Sequence, residues 1–444
     1  MSKKNSLEKF MKKKLSIIIS LGLIVCMTTG CTTFNNFKNA FFSDSKAETT
    51  TKKERTIKIG VYEPLSGKYK EQGDQERIGI ELAHELHPEV AGKKVELVYA
   101  DNQSNMDSAQ TAIDELVAQQ PSVILGSYGN TVTLIAGDAV KASNIPAIAI
   151  TSTNPLITVN NPYYFCATFS EEMQGETLAQ FVLDKQAQPT VATVKVSGDD
   201  AATPTIKRFT DRIKVSTENN ESVVGSFRLA TNSKDYTETL EAIKESGANT
   251  VFLDVSPSIS IDFLKQAEEA KLTNVLYVGT SIWDDAKFLK SVQSSEKLNI
   301  AYTSDFNVKT HSTKMSETFI KAYKAKYGED AEPTAATAVA YDSYLMALTA
   351  IQRAYDGTMA LSEEEVTNLM NTDAATKGAK EEWEKAQETG IPTGKAIRDC
   401  LANLNDFEGA SGVISYRGTN EATKEVTVNY ILKGKIQEGS LYNN

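Results

Sequence analysis

Short apolar runs alternate along this chain with stretches whose apolar residues recur at helical spacing. The first extended run is 56–64, and residues 74–86 follow with Ile78, Leu82 and Leu86 on one face and Asp74 as the expected N-cap. A second run at 93–100 leads into a helix over 106–119, with Ala109, Ile113, Leu116 and Val117 on one side. The runs 123–125 and 145–150 bracket a helix at 134–142. Strand, helix, strand in strict alternation predicts a doubly wound α/β domain with a parallel sheet buried on both faces. The alternation then repeats. Extended runs at 163–168, 190–195, 222–229, 250–255 and 275–278 are separated by helical patterns at 175–184, 205–217, 236–246 and 259–270. Two such sets in one chain predict two lobes facing each other across a cleft. An extended run at 301–307, long helices at 314–327 and 334–355, a charged insertion at 363–394, a short helix at 396–404 and strands at 412–416 and 425–432 complete the pattern.

Residues 121–155 hold two strand–loop units in series. Their polar loops, 126–133 and 151–155, fall at the carboxyl edge of the predicted sheet, where ligands of such sheets sit. Asn130, Thr131, Ser152 and Thr153 would converge there, and the free N–H groups where the helix begins favour an anion such as a carboxylate. Ser, Thr and Asn are also common as plain loop and cap residues, and spacing alone leaves both readings open.

The first 14 residues are basic, 15–25 are apolar, and small residues lead to Cys31. That order is the grammar of a secretory signal, with an uncleaved signal anchor as the alternative. Thr28-Thr29-Gly30-Cys31 resembles the bacterial lipobox, with Thr28 where Leu is usual. The resemblance implies a signal over 1–31, lipid on Cys31 and attachment to the outer face of the cytoplasmic membrane. Residues 32–55, rich in Thr, Asn, Lys and Ser, read as a tether. The chain of 444 residues has Lys+Arg 47 against Asp+Glu 58, a net charge of −11 that argues against nucleic acid as partner. Three histidines, no P-loop and no Gly-x-Ser-x-Gly leave little for catalysis, and no metal or cofactor is expected. Cys166 and Cys400 are expected as separate thiols, a disulfide being the other option.

Six segments in order carry a family resemblance: IKIGVYEPLSGKYKEQGD at 57–74, Ala100-Asp101-Asn102-Gln103, the loop 151–155, Gln174-Gly175, Ala340-Tyr341-Asp342, and Phe407 to Gly412. Together they resemble the solute-binding proteins of ABC importers for leucine, isoleucine and valine. The resemblance implies two α/β lobes joined by a three-crossover hinge, the type I periplasmic binding protein fold. It puts 56–168 and 304–416 in lobe one and 169–303 and 417–444 in lobe two. It implies a small-molecule ligand, an amino acid first, and an ABC permease as partners, with no chemical step. The family's carboxylate contacts match Asn130, Thr131, Thr151, Ser152 and Thr153, and the loop after the first strand matches Gln72. Where relatives hold an ammonium with Tyr and Glu, this chain has Ser256 and Ser281, with Trp283 just beyond as a stacking candidate and Asp200, Asp254 or Asp284 to supply charge. A sensory protein acting through a separate receptor, and a ligand that is not an amino acid, are the alternatives. Asn130→Ala with Thr153→Ala is expected to abolish binding with the melting temperature of the apo form nearly unchanged.

Overall fold

The computed structural model describes residues 56–198, 203–295, 297–357, 381–382, 384–437 and 439–442. The signal with Cys31, the tether, Asp200 and much of the charged insertion lie outside these residues.

The first lobe is built on β1 (Ile57–Glu63), β2 (Glu89–Val90), β3 (Lys93–Asp101), β4 (Val123–Leu125), β5 (Ala147–Ala149) and β6 (Tyr164–Cys166), in the spatial order β2-β3-β1-β4-β5-β6. All neighbours are parallel except the β2–β3 pair. The central strands are buried on both faces, which is why 123–125 and 147–149 are continuously apolar. Helices α1 (Lys70–Leu86), α2 (Met106–Ala118) and α3 (Asn130–Ser143) make the crossovers.

The second lobe repeats the plan. After α4 (Glu171–Lys185) come β7 (Val191–Val196), α5 (Thr203–Thr217), β8 (Val223–Leu229), α6 (Thr237–Ser246), β9 (Thr250–Asp254), α7 (Pro257–Glu269), β10 (Leu276–Gly279), α8 (Ala286–Gln293) and β11 (Asn299–Ser304). The chain then returns to the first lobe through α9 (Lys314–Tyr327), α10 (Ala335–Asp356), α11 (Gly394–Ala402), β12 (Phe407–Gly409), β13 (Gly412–Ser415) and β14 (Thr423–Lys424). Ala338, Tyr341, Ile351, Ile397 and Ile414 from this return share one core with Ile59, Val61 and Leu125 of the first sheet. Finally β15 (Val426–Leu432), β16 (Lys435–Ile436) and β17 (Ser440–Tyr442) complete the second sheet, with β15 antiparallel to β11. The chain therefore passes between the lobes three times: between β6 and β7, after β11, and between β14 and β15. Ser304 closes a strand of the second sheet, and β14 pairs with β13 on the first-lobe side.

Two helices depart from the sequence reading in ways that bear on the cleft. Helix α1 starts at Lys70 with Tyr69 as N-cap, so Asp74 lies inside it and pairs with Lys70 and Arg77 instead of capping. Helix α8 is an addition to the expected elements; Asp285 caps it, its Oδ1 accepting the N–H groups of Lys287 and Phe288 at 3.0 Å. Cys166 and Cys400 are separate buried thiols.

Several segments that carried the family resemblance are structural joints. Asp101 Oδ1 accepts the Leu65 N–H at 2.9 Å and its Oδ2 the Ser66 hydroxyl at 2.6 Å, holding the loop after β1. Asp342 on α10 accepts the Ser411 N–H and hydroxyl, each at 2.7 Å, so the helix motif clamps the turn motif at 407–412.

Candidate functional site

The two polar loops meet at the carboxyl edge of the first sheet. Asn130, first residue of α3, accepts through Oδ1 the N–H of Thr153 at 3.1 Å and of Asn154 at 3.4 Å. The Ser152 hydroxyl donates to the Ser127 carbonyl at 3.0 Å and lies 2.9 Å from the Thr133 hydroxyl, which ties the loops from beneath. Ser152 is only 2% exposed, so it braces the edge. Thr131 is exposed at the start of α3, beside the unpaired first N–H groups of the helix. The loop between β4 and α3 passes very close to β1. A Cβ on Gly126 would lie 2.1 Å from the Tyr62 carbonyl oxygen, and its φ is +115°, so only glycine fits there.

Behind the loops lie two carboxyls that sequence reasoning did not single out. Glu63 ends β1 and Glu76 faces it from α1; both are fully buried. Glu63 Oε2 accepts the Tyr128 N–H at 3.0 Å, and Glu76 Oε1 accepts the Thr151 hydroxyl. Burial, then repulsion from Glu76, holds the Glu63 carboxyl well above the carboxylate range, and burial pushes Glu76 up to about 7. A Glu at the end of a strand and another on the following helix, both flanking the loop that resembles a family motif, were the available signal. Tyr128 packs against Tyr69 at 5.6 Å between ring centroids and adds an aromatic wall at this edge.

The second lobe presents its loops opposite. Gln72 Nε2 lies 3.4 Å from Asp285 Oδ2, and Lys287 Nζ is 3.0 Å from Glu71, so α1 and the start of α8 meet across the cleft. The Thr153 hydroxyl reaches Glu171, at the start of α4, at 3.4 Å. The Ser281 N–H donates to Gln174 Oε1 at 2.8 Å, and the Thr303 hydroxyl donates to the same oxygen at 2.9 Å. Gln174 thereby fixes the loop after β10. Ser256 is exposed ahead of α7, its hydroxyl 3.3 Å from that of Ser258. Asp254 ends β9 and is 8% exposed. Burial raises Asp284 to about 6, against the Ser304 hydroxyl donated to it at 2.6 Å.

Trp283 is corrected from stacking candidate to core residue. Its indole is fully buried, its Nε1–H donates to Ser260 at 2.8 Å, and its ring lies 4.6 Å from that of Phe288. An indole enclosed on its faces has none left for a ligand. It lies directly over Gly279, where a Cβ would approach Trp283 to 2.3 Å. Gly279→Ala is therefore expected to cost about 1–3 kcal/mol through overpacking, read as a lower midpoint in thermal or denaturant unfolding.

A buried ion pair joins the three passages between lobes. Lys424 Nζ, fully buried, is 2.8 Å from Asp305 Oδ1, and the Thr168 hydroxyl donates to Asp305 Oδ2 at 2.7 Å. Thr168 precedes the first passage, Asp305 follows β11 at the second, and Lys424 ends β14 at the third. Lys424 also donates to the Ser411 hydroxyl at 2.8 Å, which links the hinge to Asp342 on α10.

Among the described residues no group of three or more His, Cys, Asp or Glu side chains is placed to hold a metal, and no helix is long and apolar enough to cross a membrane.

Comparison with known proteins agrees with this architecture. Residues 56–400 match the family described as periplasmic binding protein. Leu/Ile/Val-binding protein homolog 6 of Brucella suis biovar 1 is 26% identical over 215 residues, 47% of this chain and 53% of that relative, so the chain spans about half its length. Homolog 7 of Brucella abortus is 25% identical over 289 residues, 62% of this chain and 71% of that relative. The leucine-binding protein LivK of Thermotoga maritima superposes with a TM-score of 0.70 at 21% identity, covering 87% of this chain and 99% of its own. LivJ of Streptococcus pneumoniae, solved with isoleucine, gives 0.70 at 21% identity over 88% and 100%. A solute-binding protein of Rhodopseudomonas palustris solved with 4-hydroxybenzoate gives 0.66 at 18% identity over 88% and 98%. The two-lobed architecture is the type I periplasmic binding fold, and this chain is a member of the periplasmic binding protein family.

Proposed function

We propose that this chain is an extracytoplasmic solute-binding protein, held by lipid on Cys31 at the outer face of the cytoplasmic membrane. It captures a small polar ligand by closure of the cleft and delivers it to an ABC permease. An amino acid is the ligand class, with the branched-chain amino acids first. The observation that carries this reading is the meeting of the loops at Asn130 and Thr153, beside the open N-terminus of α3 and opposite Gln72 and Asp285. A ligand carboxylate would lie against Thr131, Thr153 and the first N–H groups of α3. Asn130, Thr151 and Ser152 hold those loops in place. Ser256 and Ser281 line the opposing side. The acid we assign to a ligand ammonium is Asp285, which already faces Gln72 across the cleft, ahead of Asp254 or Asp200. Closure follows from the ligand's higher affinity for the closed form.

A second reading, a small acid without an α-ammonium, draws support from Ser256 and Ser281 at the positions where Tyr and Glu were expected. The neighbour solved with 4-hydroxybenzoate supports it too. A thermal-shift screen of the folded body separates the two. A rise with leucine, isoleucine or valine supports the first, since a ligand bound to the native state raises its melting temperature. A rise only with acids lacking an ammonium supports the second.

A further inference from the structure

Glu63 and Glu76 present an imbalance of donors and acceptors. Each carboxyl has one oxygen with a donor: the Tyr128 N–H for Glu63 and the Thr151 hydroxyl for Glu76. The remaining oxygens, Glu63 Oε1 and Glu76 Oε2, are buried and receive no donor from any other described residue. The two side chains lie within hydrogen-bonding reach of each other. The groups that face them are Tyr62 on β1, Tyr164 on β6, and Tyr128 on the loop after β4, all neutral phenols held above their ordinary range by burial, and the Thr151 hydroxyl. None is a cation. Two ionised carboxylates in such a site would face each other without a compensating charge, which is prohibitively costly. A proton between the two orphan oxygens supplies the missing donor.

We propose that Glu63 and Glu76 share a proton, and that this joined pair is the positioning device for the binding edge, Glu63 holding the backbone of the first polar loop and Glu76 the hydroxyl of the second. Neither carboxyl touches the ligand. The pair ties β1 to α1 and, through Tyr128 and Thr151, sets the spacing of the loops that Asn130 and Ser152 then lock. The inference rests on the reading of those loops as the binding edge.

Burial raises both carboxyls, so the shared proton belongs to the pair and not to either residue alone. Both groups bind protons more tightly folded than unfolded. Their contribution to stability is thus greatest below the ordinary carboxylate value of 4.5 and is lost as pH rises, through about 7 for Glu76.

Glu63→Gln tests this directly. The carbonyl oxygen of the introduced amide can accept the Tyr128 N–H while its NH2 donates to Glu76, imitating the protonated acid without a proton to lose. Three readouts are taken on the ligand-free body. The infrared carbonyl band of a neutral carboxylic acid should be present at pH 8 in the native protein and absent in Glu63→Gln. The fall in melting temperature between pH 5 and pH 8 should be shallower in Glu63→Gln. Glu63→Ala should lower the melting temperature at every pH, and Glu63→Gln should restore it. A native protein without the acid band at pH 8, or a Glu63→Gln variant with the native pH slope, would overturn the proposal. Leucine is the probe for the binding edge: native protein and Glu63→Gln should bind it alike, and Glu63→Ala at least tenfold more weakly. If Glu63→Ala binds leucine as native protein does, the positioning role falls. If the native protein does not bind leucine at all, it is the amino-acid reading that fails, and the infrared band and pH slope still decide the shared proton.

Discussion

Lys424→Met is expected to destabilise the folded body by about 3–5 kcal/mol, the cost of leaving one partner of a buried ion pair alone. The ammonium of Lys424 is fully buried, and the carboxylate it faces, on a residue 7% exposed, also takes the Thr168 hydroxyl. Without the lysine, the Asp305 carboxyl loses its ion-pair partner in a buried site. The effect should be read by chemical denaturation, with Asp305→Leu and the double variant completing a thermodynamic cycle. The double variant should recover much of the loss, because apolar replacement of both partners removes the stranded charge. A single-variant cost below about 1 kcal/mol would mean that water or another group compensates Asp305, and that the three passages between lobes are held by other contacts. The pair sits where the lobes must hinge, so the single variant should also change the open-to-closed balance, measurable as a change in radius of gyration by small-angle scattering.

Asn130→Ala combined with Thr153→Ala is expected to weaken ligand binding by about 100-fold or more, the loss of the Thr153 contact together with the brace that places it in the closed cleft. The structure changes what should accompany it. From the sequence alone the apo protein should be indifferent to these substitutions. In the structure Asn130 is the acceptor for two backbone N–H groups of the neighbouring loop, so its removal leaves donors at 153 and 154 without a protein partner. A fall in apo stability of about 1–3 kcal/mol is now expected, with Asn130 responsible for most of it. Thr153→Ala alone should leave stability close to native, since its hydroxyl makes a single long contact to Glu171 at 3.4 Å. Measuring the two single variants separates the brace from the contact. Equal effects of both on stability would contradict this division.

The α/β alternation was legible because parallel strands buried on both faces are apolar throughout and their helices keep a 3.6-residue period. Ile57, Ile59 and Val61, or Ile78 and Leu82, announce their elements without tertiary context. The sequence pattern misses the first turn of helix α1 because Lys70, Glu71 and Gln72 are polar and Gly73, though buried against Pro64, adds no apolar side chain to the period. The short strands β2, β14 and β16 have two residues each, too few to show a period. The convergence of the two polar loops followed from topology, since both lie beyond adjacent strands β4 and β5. What each side chain does there did not follow. Ser152 and Thr151 look like ligand contacts by residue type, yet their hydroxyls are directed to the Ser127 carbonyl and to Glu76. Trp283 looked like a stacking surface, and only its packing over Gly279 and against Phe288 reveals a core residue. Glu63 and Glu76 are well separated in sequence and acquire their meaning only when β1 and α1 fold them together. Asp285 caps α8 locally, and its second role, facing Gln72, exists only because the second lobe approaches the first.

The most direct test of the central claim is a calorimetric titration of the body beginning near Lys52 with leucine, isoleucine and valine, followed by the Asp285→Asn variant. Saturable one-to-one binding of at least one of the three, lost or greatly weakened in Asp285→Asn, is the predicted result. No heat with any of them, together with binding of an acid that lacks an ammonium group, would contradict the account.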